Sequence, residues 1–219
     1  MSFSHACFIS YRHRPGNREY LAIVEDLRTT LGEQVGFLMN EQVYMDTGRL
    51  QGGNFFNRAL ATAICESVCM VVFYIPPYFD PDSTYCAREF KAMEQLEAER
   101  LEALGMGDSP NGLIIPIVLR GWGQFPAEIR SVRQSYNFEP YYIQKRKINQ
   151  HREGRLKVIE IAQYINARYL EMRQRAAELC TGCGTFPLPQ EADVLPWLLQ
   201  LRGARGPQPQ AAGNALPRL

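Results

Sequence analysis

The chain has 219 residues, 46% of them hydrophobic and 21% charged, with a formal net charge of +1. That length and apolar fraction suit one globular domain with a full core plus an extension. A near-neutral chain sets up no long-range field for nucleic acid or an acidic membrane, and its longest apolar runs, Val68–Pro77 and Leu113–Leu119, are too short to span a bilayer. The opening Met-Ser-Phe-Ser-His-Ala lacks the basic start of a secretory signal and runs straight into a strand-like segment. Four of the six cysteines, Cys7, Cys65, Cys69 and Cys86, fall in apolar elements, the expected pattern of reduced, buried thiols in a cytoplasmic protein.

Taken in order, the elements alternate. Ala6–Tyr11 reads as a short buried strand. Glu19–Leu31 carries Tyr20, Ile23, Val24, Leu27 and Leu31 at helical spacing, with Gly32 as a natural stop. Gln42–Met45 is a brief strand leading into the glycine-bearing stretch Asp46–Gly53. Asn54 is placed to cap a helix with Phe56, Leu60, Ala63, Ile64 and Ser67 on one side. Val68–Tyr74 is an unbroken apolar strand of the kind covered on both faces, ended by Pro76-Pro77. Ser83 is placed to cap a helix running to about Leu101. After the Gly105–Gly112 loop, Leu113–Leu119 predicts a fourth strand, whose Pro116 argues against a regular central position or for a bulge. Tyr136–Ile143 offers a fifth strand. Glu153–Leu179 predicts one long closing helix with Leu156, Ile159, Gln163, Tyr169 and Met172 at periodic positions. Alternating strands and helices imply a parallel sheet with helices on both faces. Residues 1–179 then form the domain and 180–219 a C-terminal extension. Within it, Asp193–Leu201 is an apolar island suited to dock on the domain, while Gly203–Leu219 has the Gly, Pro, Gln and Ala composition of a dispensable, disordered tail.

The most telling residue is Glu89. At about 100° per residue, Tyr85, Cys86, Phe90, Met93 and Leu96 form one apolar arc, and Glu89 falls inside it. Arg88, Lys91 and Gln95 take the opposite side, where charges belong. An inward carboxylate near a helix start is costly unless something there uses it; the plain alternative is a glutamate that reaches water or meets an arginine. In a parallel sheet, ligands gather at the carboxyl ends of the strands. There the loop after the first strand (Ser10, Tyr11, Arg12, His13, Arg14), the Asp46–Gly53 loop and the start of the Glu89 helix converge. Asp46–Asn54 could offer backbone N–H groups to a phosphate, although it lacks the lysine of a P-loop, and taken alone it reads as a turn. Cys180-Thr-Gly-Cys183 is a lone CxxC with only His151 nearby, too little for zinc. The three histidines, His5, His13 and His151, make no serine-hydrolase or HExxH pattern. Cys86 points to the middle of the arc, as a core thiol does.

Five segments in order resemble one family. Phe8-Ile9-Ser10-Tyr11 resembles the first motif of TIR (Toll/interleukin-1 receptor) domains. Asp46–Asn54 with Phe55 is similar to the BB loop entering the next helix. Ala63–Ser67 followed by Val71–Phe79 is similar to the following helix–strand–loop segment. Ser83-Thr84-Tyr85-Cys86-Ala87-Arg88-Glu89 resembles Ser-x-Trp-Cys-x-x-Glu, with Tyr85 where the family more often has Trp. Ile114–Ile117 is similar to the fourth strand. The resemblance covers Ser4 to about Ile143, or at its widest to Leu179, and leaves the 181–219 stretch uncovered. It implies an α/β, flavodoxin-like three-layer domain with a five-stranded parallel sheet. For an enzymatic TIR domain it implies that Glu89 is catalytic in cleaving NAD+ at the nicotinamide–ribose bond. The expected substrate-binding residues are Phe8, Ser10, Tyr11, Arg12, Asp46, Arg49, Ser83, Tyr85 and Cys86, with no metal and NAD+ as substrate rather than cofactor. It further implies self-association through Asp46–Gly53, TIR or effector partners, no nucleic acid or membrane partner, and a free-standing cytoplasmic protein of the prokaryotic antiviral type. The alternative within the same family is a non-catalytic scaffold for protein–protein signalling.

Overall fold

The computed structural model describes residues 3–14, 16–45, 54–107, 111–144 and 147–204. The Asp46–Gly53 loop, with Asp46 and Arg49, lies outside the described residues, as do the capping side chain of Asn54, the Phe56 side chain and the stretch 205–219. Five strands form one parallel sheet: β1 (His5–Tyr11), β2 (Gln42–Met45), β3 (Ser67–Tyr74), β4 (Ile114–Val118) and β5 (Tyr136–Asn137). Their order is β2-β1-β3-β4-β5. Ser10 stands opposite Val72, and Val72 opposite Pro116. This is the flavodoxin-like order, which places its switch point between β1 and β3. Every residue of β3 is buried, which is why it reads as a continuous apolar run.

Helices α1 (Arg18–Leu38) and α6 (Arg152–Met172) pack together on one face; α2 (Asn54–Cys65) and α3 (Tyr85–Ala103) share the other. Short helices α4 (Ala127–Val132), α5 (Glu139–Gln144) and α7 (Ala176–Leu179) fill the connections, and α8 (Glu191–Ala204) lies outside α3. Helix α1 does not stop at Gly32. Leu31 and Val35 are both buried, so the core-facing stripe continues and holds the helix together as far as Met39. Ser67 begins β3 rather than extending α2, and its hydroxyl donates back to the Ala63 carbonyl at 2.7 Å. Pro116 sits in register without a bulge. The two-residue β5 joins only at Ile117 and Val118, so Pro116 is not flanked by two ladders. Residues 139–144 are helical, not strand: the Asn137 side chain accepts from the Glu139 N–H at 3.0 Å and turns the chain at Glu139-Pro140. The closing helix breaks after Met172 into a 3₁₀ turn and α7. Its buried stripe runs through Val158, Ile161, Ala162, Ile165, Arg168 and Met172; Met172 is buried as expected, whereas Leu156 and Gln163 are exposed.

Helix α3 is anchored at its far end. Arg100, buried, donates to the Ser67 carbonyl at 2.8 Å and to the Cys65 carbonyl, at the amino end of β3. Glu97 accepts from the Leu113 and Ile114 N–H groups at the start of β4 and from Arg133 at 2.6 and 2.8 Å. Eleven residues of helix rise about 16 Å. Pinning Arg100 at the amino edge of the sheet therefore delivers Glu89 toward the carboxyl edge.

The extension is stapled on. Cys65, at the end of α2, forms a disulfide with Cys183, with Cα atoms 5.3 Å apart. The expectation of reduced thiols therefore fails for this pair, while Cys7, Cys69, Cys86 and Cys180 are free and buried. The two cysteines of the CxxC are not bonded to each other. The sequence could not show this pairing, because 118 residues separate its partners. Residues 183–204 continue as a strap over α2 and α3. Thr62 donates to the Cys183 carbonyl at 3.3 Å, Arg58 to Gly184 at 3.1 Å and Arg88 to Pro189 at 2.6 Å. Trp197 stacks on Phe90, centroids 5.7 Å apart and 13° from parallel, and meets Phe79 edge-on at 5.3 Å. Lys91 lies 4.2 Å over the same indole. Of the face of α3 expected to meet solvent, Arg88 is buried beneath the strap and Lys91 is half-covered, while Gln95 is exposed as expected.

Candidate active site

At the switch point, β1 ends in Ser10 and Tyr11 and β3 gives way to the 3₁₀ turn Pro76–Phe79. Proline at the first two positions of that turn has its φ already suited to it. Gly121, at φ +74°, brings the turn after β4 so close to Pro76 that a Cβ there would lie 2.7 Å from the proline ring. Helix α3 starts just beyond, at Tyr85. Thr84, not Ser83, is its N-cap residue, in αR conformation with no side-chain cap. Ser83 instead offers its carbonyl to Arg12, whose Nη1 donates at 2.9 Å, tying the loop after β1 to the segment before α3.

Glu89 has no exposed surface. It does not reach water, and the Ser10 hydroxyl donates to its Oε2. Ser10 Oγ also lies 2.6 Å from the Tyr78 hydroxyl. A second cluster adjoins this one. The Cys86 thiol donates to the Tyr11 carbonyl at 3.5 Å. The buried Tyr20 hydroxyl is pushed up from its ordinary pKa, first by burial and then by its neighbours Cys86, Tyr11 and Tyr142, against a lowering by the Arg12 backbone N–H. Tyr20 is thereby held neutral across the working pH range.

Of the residues singled out in the sequence, Ser10, Tyr11, Arg12, Ser83, Cys86 and Glu89 come together here. Tyr85 stands at the rim, 46% exposed, with the Arg88 guanidinium 5.6 Å from its ring centre. It leaves the apolar arc in which the periodicity placed it, as the first residue of the helix. Phe8 is buried in β1 and stacks on Tyr44 at 5.5 Å, two residues back from Ser10 and facing β2. Arg14 is exposed. Cys86 is a core thiol. Tyr78, Tyr20 and Tyr142 were not read as site residues. For Tyr78 a signal existed: an aromatic with a polar tip immediately after Pro-Pro at the end of a buried strand. Tyr20 and Tyr142 look like ordinary core-face aromatics, and only the tertiary fold brings their hydroxyl ends here.

Elsewhere, an open groove of about 500 Å³ runs between α2, α3 and the strap, lined by Asn57, Arg58, Arg88, Phe186 and Leu188 among others. Both arginines donate to strap carbonyls, so the groove is the seam of the extension rather than part of the Glu89 site. Among the described residues no cluster of His, Cys, Asp or Glu is arranged to hold a metal ion, and no helix is long and apolar enough to cross a membrane.

No protein-family model and no curated protein matches the chain. Among solved structures it is similar to the TIR domains in the structure of the activated Roq1 resistosome directly recognizing the pathogen effector XopQ. The identity is 20%, 89% of this chain and 96% of that one are covered, and the TM-score is 0.33. The flavodoxin-like architecture stands on the strand order, register and helix layers given above.

Proposed function

We propose that this chain is a TIR-domain NAD+ nucleosidase in which Glu89 stabilises the ribosyl cation formed as nicotinamide leaves. The observation that carries the reading is a fully buried glutamate, held by the Ser10 hydroxyl, at the carboxyl-edge switch point of a flavodoxin-like sheet. The family motifs and the glutamate's place in the fold both support this reading. The bond to nicotinamide breaks readily because the leaving group is neutral; what remains is a positively charged, oxocarbenium-like ribose. A fixed carboxylate in a site of low dielectric stabilises that charge far better than water does, as in glycoside hydrolysis. Water then attacks C1′, losing a proton, to give ADP-ribose; attack by an adenine nitrogen of the same molecule gives a cyclic product. Arg12, Arg14 and Arg49 are the candidates for the pyrophosphate, since guanidinium groups bind phosphate oxygens in pairs. Tyr85, at the rim, offers an aromatic face.

Because Glu89 is wholly buried, substrate entry requires the rim to move. An enzyme that destroys a central cofactor needs such restraint. We assign the control to the Asp46–Gly53 loop and to contact with a second copy, within a signalling role of the prokaryotic antiviral type. The decisive experiment incubates the purified chain with NAD+, at low and high protein concentration, and separates the products. Nicotinamide should appear, with specific activity rising with concentration, and Glu89→Gln should lower the rate at least about a hundredfold while leaving the fold intact. The same burial favours a second reading, a non-catalytic TIR scaffold whose glutamate is only structural. An intact Glu89→Gln variant with native activity, or a wild type that releases no nicotinamide at any concentration, would decide for it.

A further inference from the structure

We infer that Tyr78 is a positioning residue for this site: its hydroxyl donates to Ser10 and so commits the single proton of Ser10 to Glu89. As a statement about catalysis this rests on the NAD+ cleavage reading; as a statement about Glu89 it does not. The argument is a count of protons. A serine hydroxyl has one proton and two lone pairs. Ser10 donates to Glu89 Oε2, so at the 2.6 Å contact with Tyr78 it must accept, and the phenol must donate. Two O–H groups in series then point at one carboxylate. Such chains polarise cooperatively, and donors directed at the charged form of a carboxyl favour that form. An ionised Glu89 is the state that a ribosyl cation needs.

The phenol is rigidly held for this role. Its ring meets Phe79 edge-on at 4.7 Å and lies 6.3 Å from Tyr74. Phe79 in turn is wedged between Phe90 at 5.4 Å and Trp197 of the strap at 5.3 Å. On the other side, Gly121 closes on Pro76 at the start of the same turn. The other titratable or charged groups gathered around the pocket are Tyr11 from β1, Arg12 from the loop after it, Tyr20 from α1, Cys86 and Arg88 from α3, and Tyr142 from α5. Arg12 donates to the Ser83 carbonyl and Arg88 to the Pro189 carbonyl. Ser10 contacts the carboxylate directly, and Tyr78 reaches it through Ser10.

The test uses Tyr78→Phe, which keeps the ring packing and removes only the hydroxyl. The acid limb of the pH profile of kcat should move up by about 0.7 pH unit, the equivalent of one ordinary hydrogen bond. At a pH on that limb this is a loss of about fivefold, with the plateau nearly unchanged. Ser10→Ala should move the limb further. Adding Tyr78→Phe to Ser10→Ala should then move it no more, because the phenol acts only through the serine. A parallel arm needs no activity: the carboxyl carbon of Glu89, assigned by its disappearance in Glu89→Gln, is titrated by NMR in the full chain. Its midpoint should rise in Tyr78→Phe by the same amount, with the same non-additivity. Equal midpoints in wild type and Tyr78→Phe, or additive shifts in the double variant, would overturn the inference. A wild type inert toward NAD+ whose Glu89 midpoint still moves as stated would overturn the reaction and leave the positioning role standing.

Discussion

Breaking the bond between Cys65 and Cys183 should weaken the whole domain, by an amount set by the loop it closes. The two cysteines are 118 residues apart, and both are buried. In the chain-entropy model a loop of that length removes freedom from the unfolded state equivalent to about 5 kcal/mol. This is the upper end, because strain in the folded state and structure in the unfolded state both subtract. For a domain of this size, each kcal/mol moves the thermal midpoint by roughly 2–4 °C. The expected drop on reduction, or in Cys183→Ser, is therefore several degrees and at most about 10–20 °C. Native structure should persist below that lower midpoint, since Thr62, Arg58, Arg88 and Trp197 still hold the strap without the covalent link. The assay is thermal unfolding followed by circular dichroism with and without a dithiol reductant, together with a thiol count in denaturant. Unreduced protein should titrate four thiols and reduced protein six. Six thiols before reduction would remove the bond itself. Four thiols with an unmoved midpoint would show that closing the loop does not stabilise the fold.

Three further outcomes follow from the packing and charge. Trp197→Ala should cost about 2–3 kcal/mol of unfolding free energy, less than a fully buried tryptophan because one face lies under Lys91 near solvent, and Trp197→Phe should recover part of it; equal stability of all three chains by urea unfolding would show that the strap does not dock. Glu97→Ala should cost about 3 kcal/mol or more, because it leaves two buried strand N–H groups without their acceptor and the partly buried Arg133 with only Glu94, and a change below 1 kcal/mol would refute the anchoring of α3. His5 has its pKa lowered by burial, partly offset by Glu66, so its neutral form is the one the fold prefers. Its contribution is present above the unfolded value of 6.5 and is lost as pH falls below it toward the lower folded value; His5→Gln should flatten the fall in stability between about pH 6.5 and 5, and an identical slope in the two proteins would exclude it.

The architecture was legible because its signals are local. Continuous apolar runs at Ala6–Tyr11 and Val68–Tyr74 can only be strands covered on both faces, and the alternation with amphipathic helices leaves a parallel sheet as the solution. Glu89 was legible for the same reason: a carboxylate inside an apolar arc conflicts with local consistency, and such conflicts mark places that function or a specific partner must explain. Element ends were less so. Gly32 weakens a helix by about 1 kcal/mol at most, and burial of Leu31 and Val35 outweighs it. Tyr136–Ile143 alternates like a strand, yet the Asn137 side chain and Pro140 turn it after two residues.

What the sequence concealed depends on contacts between distant segments. Arg88, Lys91 and Gln95 form a polar stripe on α3, and a polar stripe is the ordinary mark of a solvent face. At Arg88 and Lys91 the stripe instead meets the extension, while Gln95 stays exposed. Arg88 supplies a donor to a strap carbonyl that would otherwise be buried unpaired, and Lys91 supplies a cation to the Trp197 face. Arg88 and Lys91 suit this place because the strap presents a backbone oxygen to one and an aromatic ring to the other. A polar helix face thus has two solutions, water or an irregular segment with carbonyls to satisfy. Only the presence of Cys183 and Trp197 near the end of the chain, read together with Cys65 on the neighbouring helix, distinguishes the second. The same strap steadies Phe79, Phe79 steadies Tyr78, and Tyr78 faces Ser10 and the carboxylate beyond it. The extension outside the recognisable motifs is therefore linked by direct contacts to the one residue on which the proposed chemistry turns.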